Sequence, residues 1–168
     1  MYDLLMITVL FIHVICAVFL VGSSIFVWVI VWPASSIAMP DEKQRTRFMS
    51  LMGKRYALWT NVSIILLTVT GLLLVYLYRP SYFTDFSGTI ATQWGQVLTV
   101  KIVAVALMYG ILYGNNLWHG KKFPKLAEEG KFDELKRLRK ISHLLSFITV
   151  GMMVVVVLVA EILAGVFF

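Results

Sequence analysis

Five side chains in this sequence stand out, because each is ionisable and lies in or beside a long apolar run. They are His13, Lys101, His143, Glu161 and, at a boundary, His119. Such groups are costly inside a bilayer, so each is a candidate functional residue. Imidazole and neutral amine are nitrogen donors for a metal, but a lysine ligates only after losing its proton, which burial favours. The same residues have blander uses. An intramembrane histidine can simply bond across helices. Lys101 can snorkel to an interface or pair with Glu161. His119 and His143 can be interfacial, or can form a second site joining two spans.

These residues must be positioned by membrane-crossing helices. Of the 168 residues 60% are hydrophobic and 14% charged, and the mean hydropathy is +0.84. A soluble domain has more charge and less apolar content. A spanning helix needs roughly 20 mostly apolar residues, and four stretches qualify: Leu4–Trp32, Tyr56–Tyr78, Trp94–Trp118 and Ile141–Phe167. None alternates with the period of a barrel strand. Trp32, Trp59, Trp94 and Trp118, with Tyr56, Tyr76 and Tyr78, sit near the span ends as an interfacial belt. The fold class is therefore an all-α membrane protein, one domain over 1–168. Short connections make it an up-down bundle of four transmembrane helices. Pro40–Gly53 is expected to begin with a short amphipathic helix, and Leu126–Lys140 to form another. The first apolar run is too long for a cleavable signal and has no basic residues before it, so it reads as a retained span.

Charge sets the orientation. The connection 33–55 holds five Lys and Arg, 119–140 holds eight, and 79–93 holds Arg79 alone. The positive-inside rule then places the first and third connections in the cytoplasm and both termini outside. A cell inner (plasma) membrane and a lipid bilayer environment follow. A reporter fused after Phe168 is expected to be active outside the cytoplasm; activity inside would overturn this orientation. The net charge of +6 is explained by orienting residues, so no nucleic-acid partner is expected. The single cysteine, Cys16, excludes an internal disulfide framework and a Cys-based zinc site. Motifs of hydrolases and nucleotide-binding loops are absent.

With about 1.5 Å of rise per residue, His13, Lys101 and Glu161 share the outer third of the bundle. His143 and His119 lie at the cytoplasmic level. His13 and His143 differ in depth by roughly 15–20 Å, so they cannot share one iron. If His13 binds haem, the second ligand comes from the outer layer, where Lys101 is the candidate and Glu161 an accepting partner. Arg79 and Gln93 are nearer to such a haem's propionates than Arg45, Arg47 or Arg55. Small residues mark expected close helix approaches: Gly22, Ser23, Ser24, Thr68, Thr70, Gly71 and the pair Gly110 and Gly114.

Several short motifs match known membrane families. His13 followed eight residues later by Gly22, then Thr70-Gly71, then Gly95-x-x-Leu98-x-x-Lys101, resemble the CopD-like and HemJ-like families. Arg47-Phe48 followed by Met52-x-Lys54-Arg55 resembles the stretch before the second helix of HemJ proteins. The HemJ resemblance implies a haem b with His13 and Lys101 as axial ligands and a porphyrinogen substrate. The CopD resemblance implies copper uptake across the inner membrane. This chain has Ile111 and Tyr113 where HemJ proteins carry a further histidine. It reads Ile141-Ser142-His143-Leu144 where they carry Asn-Glu-x-Pro.

The expected function is a small b-type haem membrane protein that exchanges electrons with a membrane-soluble partner, a quinone or a porphyrinogen. One haem is expected, with room for a second at His119 and His143. The alternatives are a CopD-like copper-handling protein and a non-catalytic subunit of a respiratory complex; a homo-oligomer fits either. Copper(I) favours Cys and Met, and no Met-x-x-Met pair lies in the outer layer.

Overall fold

The computed structural model describes residues 2–165, with side chains described for 4–117 and 122–165. Trp118, His119 and Lys121 therefore lie outside the described side chains, and the end of the predicted fourth span lies beyond the described residues. The elements are all helical. They are α1 (Tyr2–Phe26), a π-helical turn (Val27–Val31), α2 (Trp32–Ala38), α3 (Glu42–Tyr78), α4 (Ser81–Thr84), α5 (Phe86–Ala91), α6 (Gln93–Glu128) and α7 (Phe132–Gly165). Four helical stretches are long and apolar enough to cross a membrane. In lipid every backbone N–H and C=O must be satisfied within the segment, and an unbroken helix does this.

The first span runs on through α2, past its predicted end. Pro33 explains the π-turn before it. Proline donates no hydrogen bond, and its ring crowds the carbonyl four residues back, that of Val29. A wider turn over Val27–Val31 relieves that conflict without ending the helix. At the other boundaries local chemistry decides. Asp41 caps α3 by accepting from the Lys43 amide at 3.0 Å, and Thr92 caps α6 by accepting from the Gly95 amide at 3.1 Å. Arg79-Pro80 closes α3, because the residue before a proline leaves the helical region. Gly130 turns α6 into α7 with φ of 71°, a conformation glycine enters without steric cost.

Two expectations are corrected in extent. The amphipathic segment after Pro40 does not stand alone; it is the first turns of α3, which continues without a break to Tyr78. The segment 126–140 is likewise divided between the end of α6 and the start of α7.

The four long helices form a ring in chain order. α1 packs closely on α3 and α6 on α7; α3 meets α6, and contact between α1 and α7 is thinner. Leu20, Ile64, Met108, Leu112 and Met153 form the central core. Side chains such as Leu4, Ile7, Phe11 and Val18 are exposed on the outside of α1, as a lipid-facing surface requires. Two ends can be told apart. One carries Tyr2, Gly165 and the connection 79–92. The other carries the basic connections, where Arg139 on α7 bonds Glu42 and, at 2.9 Å, the Thr46 hydroxyl. Glu42 also pairs with Arg45, so the start of α3 is clamped to α7.

Candidate metal centre

α1 turns one stripe inward: Val9, His13, Cys16, Leu20 and Ser24, all buried or half-buried. Their spacing of three and four residues is that of a single helix face. On it His13 meets α3 at the turn Thr70-Gly71. The ring Nδ1 lies 2.8 Å from the Thr70 hydroxyl. That hydroxyl itself donates to the Leu66 carbonyl at 2.5 Å, so it accepts from the imidazole, and the network assigns the proton to Nδ1. The lone pair is then on Nε2. A ligating histidine is usually held in this way, its other nitrogen engaged so that tautomer and orientation are fixed.

Gly71 is part of the same arrangement. A Cβ there would come within 3.3 Å of the His13 ring, so the glycine lets the imidazole lie against the backbone of α3. Of the small residues expected to mark close approaches, this one does. Gly22, Gly110 and Gly114 do not: a Cβ at any of them would meet nothing within 4 Å, and all three are exposed. The reason is phase, since they sit on the outward side of their helices. Ser24 instead bonds across to the Tyr56 hydroxyl at 2.6 Å.

Lys101 projects from α6, half-buried, and stands within electrostatic reach of His13. It forms no ion pair among the described residues. Glu161 is exposed on α7 and makes no ion pair with Lys101. The structure thus brings His13 and Lys101 toward one interior and leaves Glu161 on the outer surface of the bundle. Arg79 stands at the end of α3 with its guanidinium 5.9 Å from the Trp94 ring centroid. Gly95 has a packing reason: a Cβ there would clash with the Thr89 carbonyl oxygen, so α5 can approach α6 only over a glycine.

Cys16 is a further donor, buried and with a free thiol, one turn beyond His13 on the same stripe. Residues three apart on a helix have Cβ atoms roughly 5–6 Å apart, close enough for both side chains to reach one ion. The signal was present in the sequence as the spacing His13-x-x-Cys16. No group of three His, Cys, Asp or Glu side chains gathers among the described residues.

His143 lies at the opposite end, between the rings of Trp28 and Trp32. His13 and His143 therefore belong to separate sites.

The class these features define is a four-helix integral membrane protein. Residues 50–162 match the family described as copper resistance protein D, CopD, and the chain belongs to that family. It is 35% identical over 115 residues to an uncharacterized protein of Aquifex aeolicus (strain VF5), covering 67% of this chain and 69% of that one. No solved structure matches.

Proposed function

We propose that the chain handles copper inside the membrane, with copper(I) as cargo held by His13 Nε2 and Cys16 Sγ. The observation that carries this reading is the engagement of His13 Nδ1 by Thr70, which leaves Nε2 as the free donor one helical turn from a buried thiol. Soft thiolate selects copper(I), and imidazole suits it. One copper(I), one thiolate and one neutral imidazole sum to no net charge, which an apolar interior tolerates. Membership of the CopD family supports the choice of metal. In this reading the termini face outward from a plasma membrane, so the donors stand in the outer half.

A second reading is a haem b between His13 and Lys101 in a protein that passes electrons to a membrane-soluble partner. It is favoured by Lys101, a half-buried amine within electrostatic reach of the imidazole and with no carboxylate beside it. In this reading His13 would offer Nε2 and Lys101 an amine, and the bound group would supply one-electron chemistry. Metal analysis and a reduced-minus-oxidised optical spectrum of the purified protein separate the two. Near-stoichiometric copper without sharp visible bands is expected. Sharp b-type bands would replace copper with haem.

Thr70→Val tests the support of the ligand. Valine keeps the shape and removes the hydroxyl, so the imidazole loses the partner that fixes its tautomer. Loss of such a partner typically costs roughly 10–100-fold in metal affinity. That loss is expected in a copper(I) competition titration; an unchanged affinity would show that Thr70 is only packing.

A further inference from the structure

At the basic end a cavity of about 110 Å3 lies among the helices. Its wall on α7 is one face of the helix, Ser142, Ser146, Thr149 and Met153, repeating every three or four residues. From Ser142 to Met153 is roughly 16 Å of helix, so the cavity reaches from the basic end toward the middle of the bundle. Polar groups inside a span are costly unless they serve a function, and here they are organised. The Ser142 hydroxyl donates to Asn115 Oδ1 at 3.0 Å, and Asn115 Nδ2 donates to the Ser146 hydroxyl at 3.4 Å. Trp28, on the same wall, has a buried Nε1 with no acceptor among the described residues. Water in a polar cavity satisfies such a donor.

The cavity ends at the central core, and two members of that core are methionines, Met108 on α6 and Met153 on α7, both buried. Met153 also lines the cavity, so its thioether belongs to both. On α6 the inward face runs Lys101, Met108, Leu112, Asn115. It leads from the layer of His13 past Met108 to the cavity wall. Met108 is two turns beyond Lys101, roughly 10 Å deeper. On α1, Leu20 packs in the same core one turn beyond Cys16. The two thioethers therefore stand between the outer donors and the cavity.

Thr60 on α3 is an independent sign at the same level. It is fully buried, and its hydroxyl has no partner among the described residues. It sits one turn from Ile64 of the core and one turn from Tyr56 of the cavity wall. A buried hydroxyl without a protein partner calls for water or an ion. Methionine in a core is often only a flexible filler, and leucine would fill these two places as well. What methionine adds is a soft, uncharged sulfur donor, which selects copper(I).

We propose that Met108 and Met153 form a relay site by which copper(I) passes between the His13–Cys16 pair and the cavity. The relay rests on the copper(I) reading of the outer pair. Its step is a ligand exchange. Copper's bonds to Cys16 Sγ and His13 Nε2 break, bonds to the two thioether sulfurs form, and a proton from water replaces copper on the thiolate. Copper stays copper(I), and no electron moves. Two neutral thioethers leave the ion's charge uncompensated in an apolar setting. The relay site is therefore weaker than the outer pair and gives the ion up to the cavity.

The test is copper(I) entry into liposomes that carry the full chain and a trapped, membrane-impermeant copper(I) chelator. Wild type is expected to admit copper. The double variant Met108→Leu, Met153→Leu is expected to slow entry at least about tenfold, the effect of a barrier higher by about 1.4 kcal/mol. Leucine replaces methionine in a core at little cost, and the copper(I) affinity of the outer pair in detergent is expected to stay at the wild-type value. The single variants decide if the double variant does not fold. A second measurement uses wild type with carbon-13-labelled methionine methyls. Silver(I), a redox-inert stand-in for copper(I), is expected to shift the Met108 and Met153 signals once the outer pair is filled. Entry at the wild-type rate in the variants, unmoved Met108 and Met153 signals, or no entry through a wild type that binds copper would overturn the relay and leave the outer pair standing. Entry that falls only in step with outer-pair affinity would overturn it too. A wild type that binds no copper would instead reject the outer pair, and the relay with it.

Discussion

Replacing His13 by alanine is expected to weaken copper(I) binding by at least about 100-fold, because a ligand matters more than the partners that orient it, and those alone are worth roughly 10–100-fold. The fold should survive. His13 is half-buried, and it bonds to the Thr70 hydroxyl and the Leu67 backbone of α3; Thr70 keeps its bond to Leu66 when the imidazole is gone. Net loss of such a bond costs about 1 kcal/mol, small against the packing of α1 on α3. Competition with a chromophoric copper(I) chelator measures the affinity, and helical content with thermal stability checks the fold. Wild-type affinity in a folded His13→Ala protein would remove His13 from the site.

The four spans were legible because each is a long apolar run, and lipid admits little else but a helix there. Their ends were less so. The apolar signal stops where charge begins, yet the α3 helix starts at Glu42, well before the predicted Tyr56, since backbone hydrogen bonding does not stop at the membrane surface. The π-turn was not read, although Pro33 carried its cause. Depth alone puts His13 and Lys101 in one layer, and the two stand within electrostatic reach of each other. Glu161 shared that depth, but depth says nothing of phase around the helix, and its phase turns it outward. The same loss of phase made Gly22, Gly110 and Gly114 look like helix contacts. The cavity at the basic end was hidden for another reason. Of its lining, Ser24 read as a close helix approach and His143 as interfacial or part of a second site, and only the fold brings them together with Trp28 and Asn115.

Cys16→Ser is expected to lower copper(I) affinity by at least about 100-fold, while Lys101→Leu, which adds no metal ligand, leaves it within about threefold; the pair distinguishes the two readings of the site. Serine is nearly the size of cysteine but offers a hard oxygen, which copper(I) does not favour over a soft thiolate. The lysine argument is one of charge. Before binding, the thiol is neutral. After binding, copper(I) replaces the thiol proton and the centre is neutral again. An ammonium nearby meets no net change, so the Coulomb term that would act between it and an uncompensated ion largely cancels. Haem ligation gives the opposite pattern. Lys101 would be bonded to the iron, and its removal would convert a six-coordinate low-spin centre to a five-coordinate high-spin one, whereas Cys16→Ser would leave that centre unchanged. Copper titration of both variants, with electron paramagnetic resonance of each in its oxidised form, reads the two patterns together. Loss of copper binding in Lys101→Leu with retention in Cys16→Ser would reject the His13–Cys16 pair and assign the nitrogen pair His13 and Lys101 as the metal site.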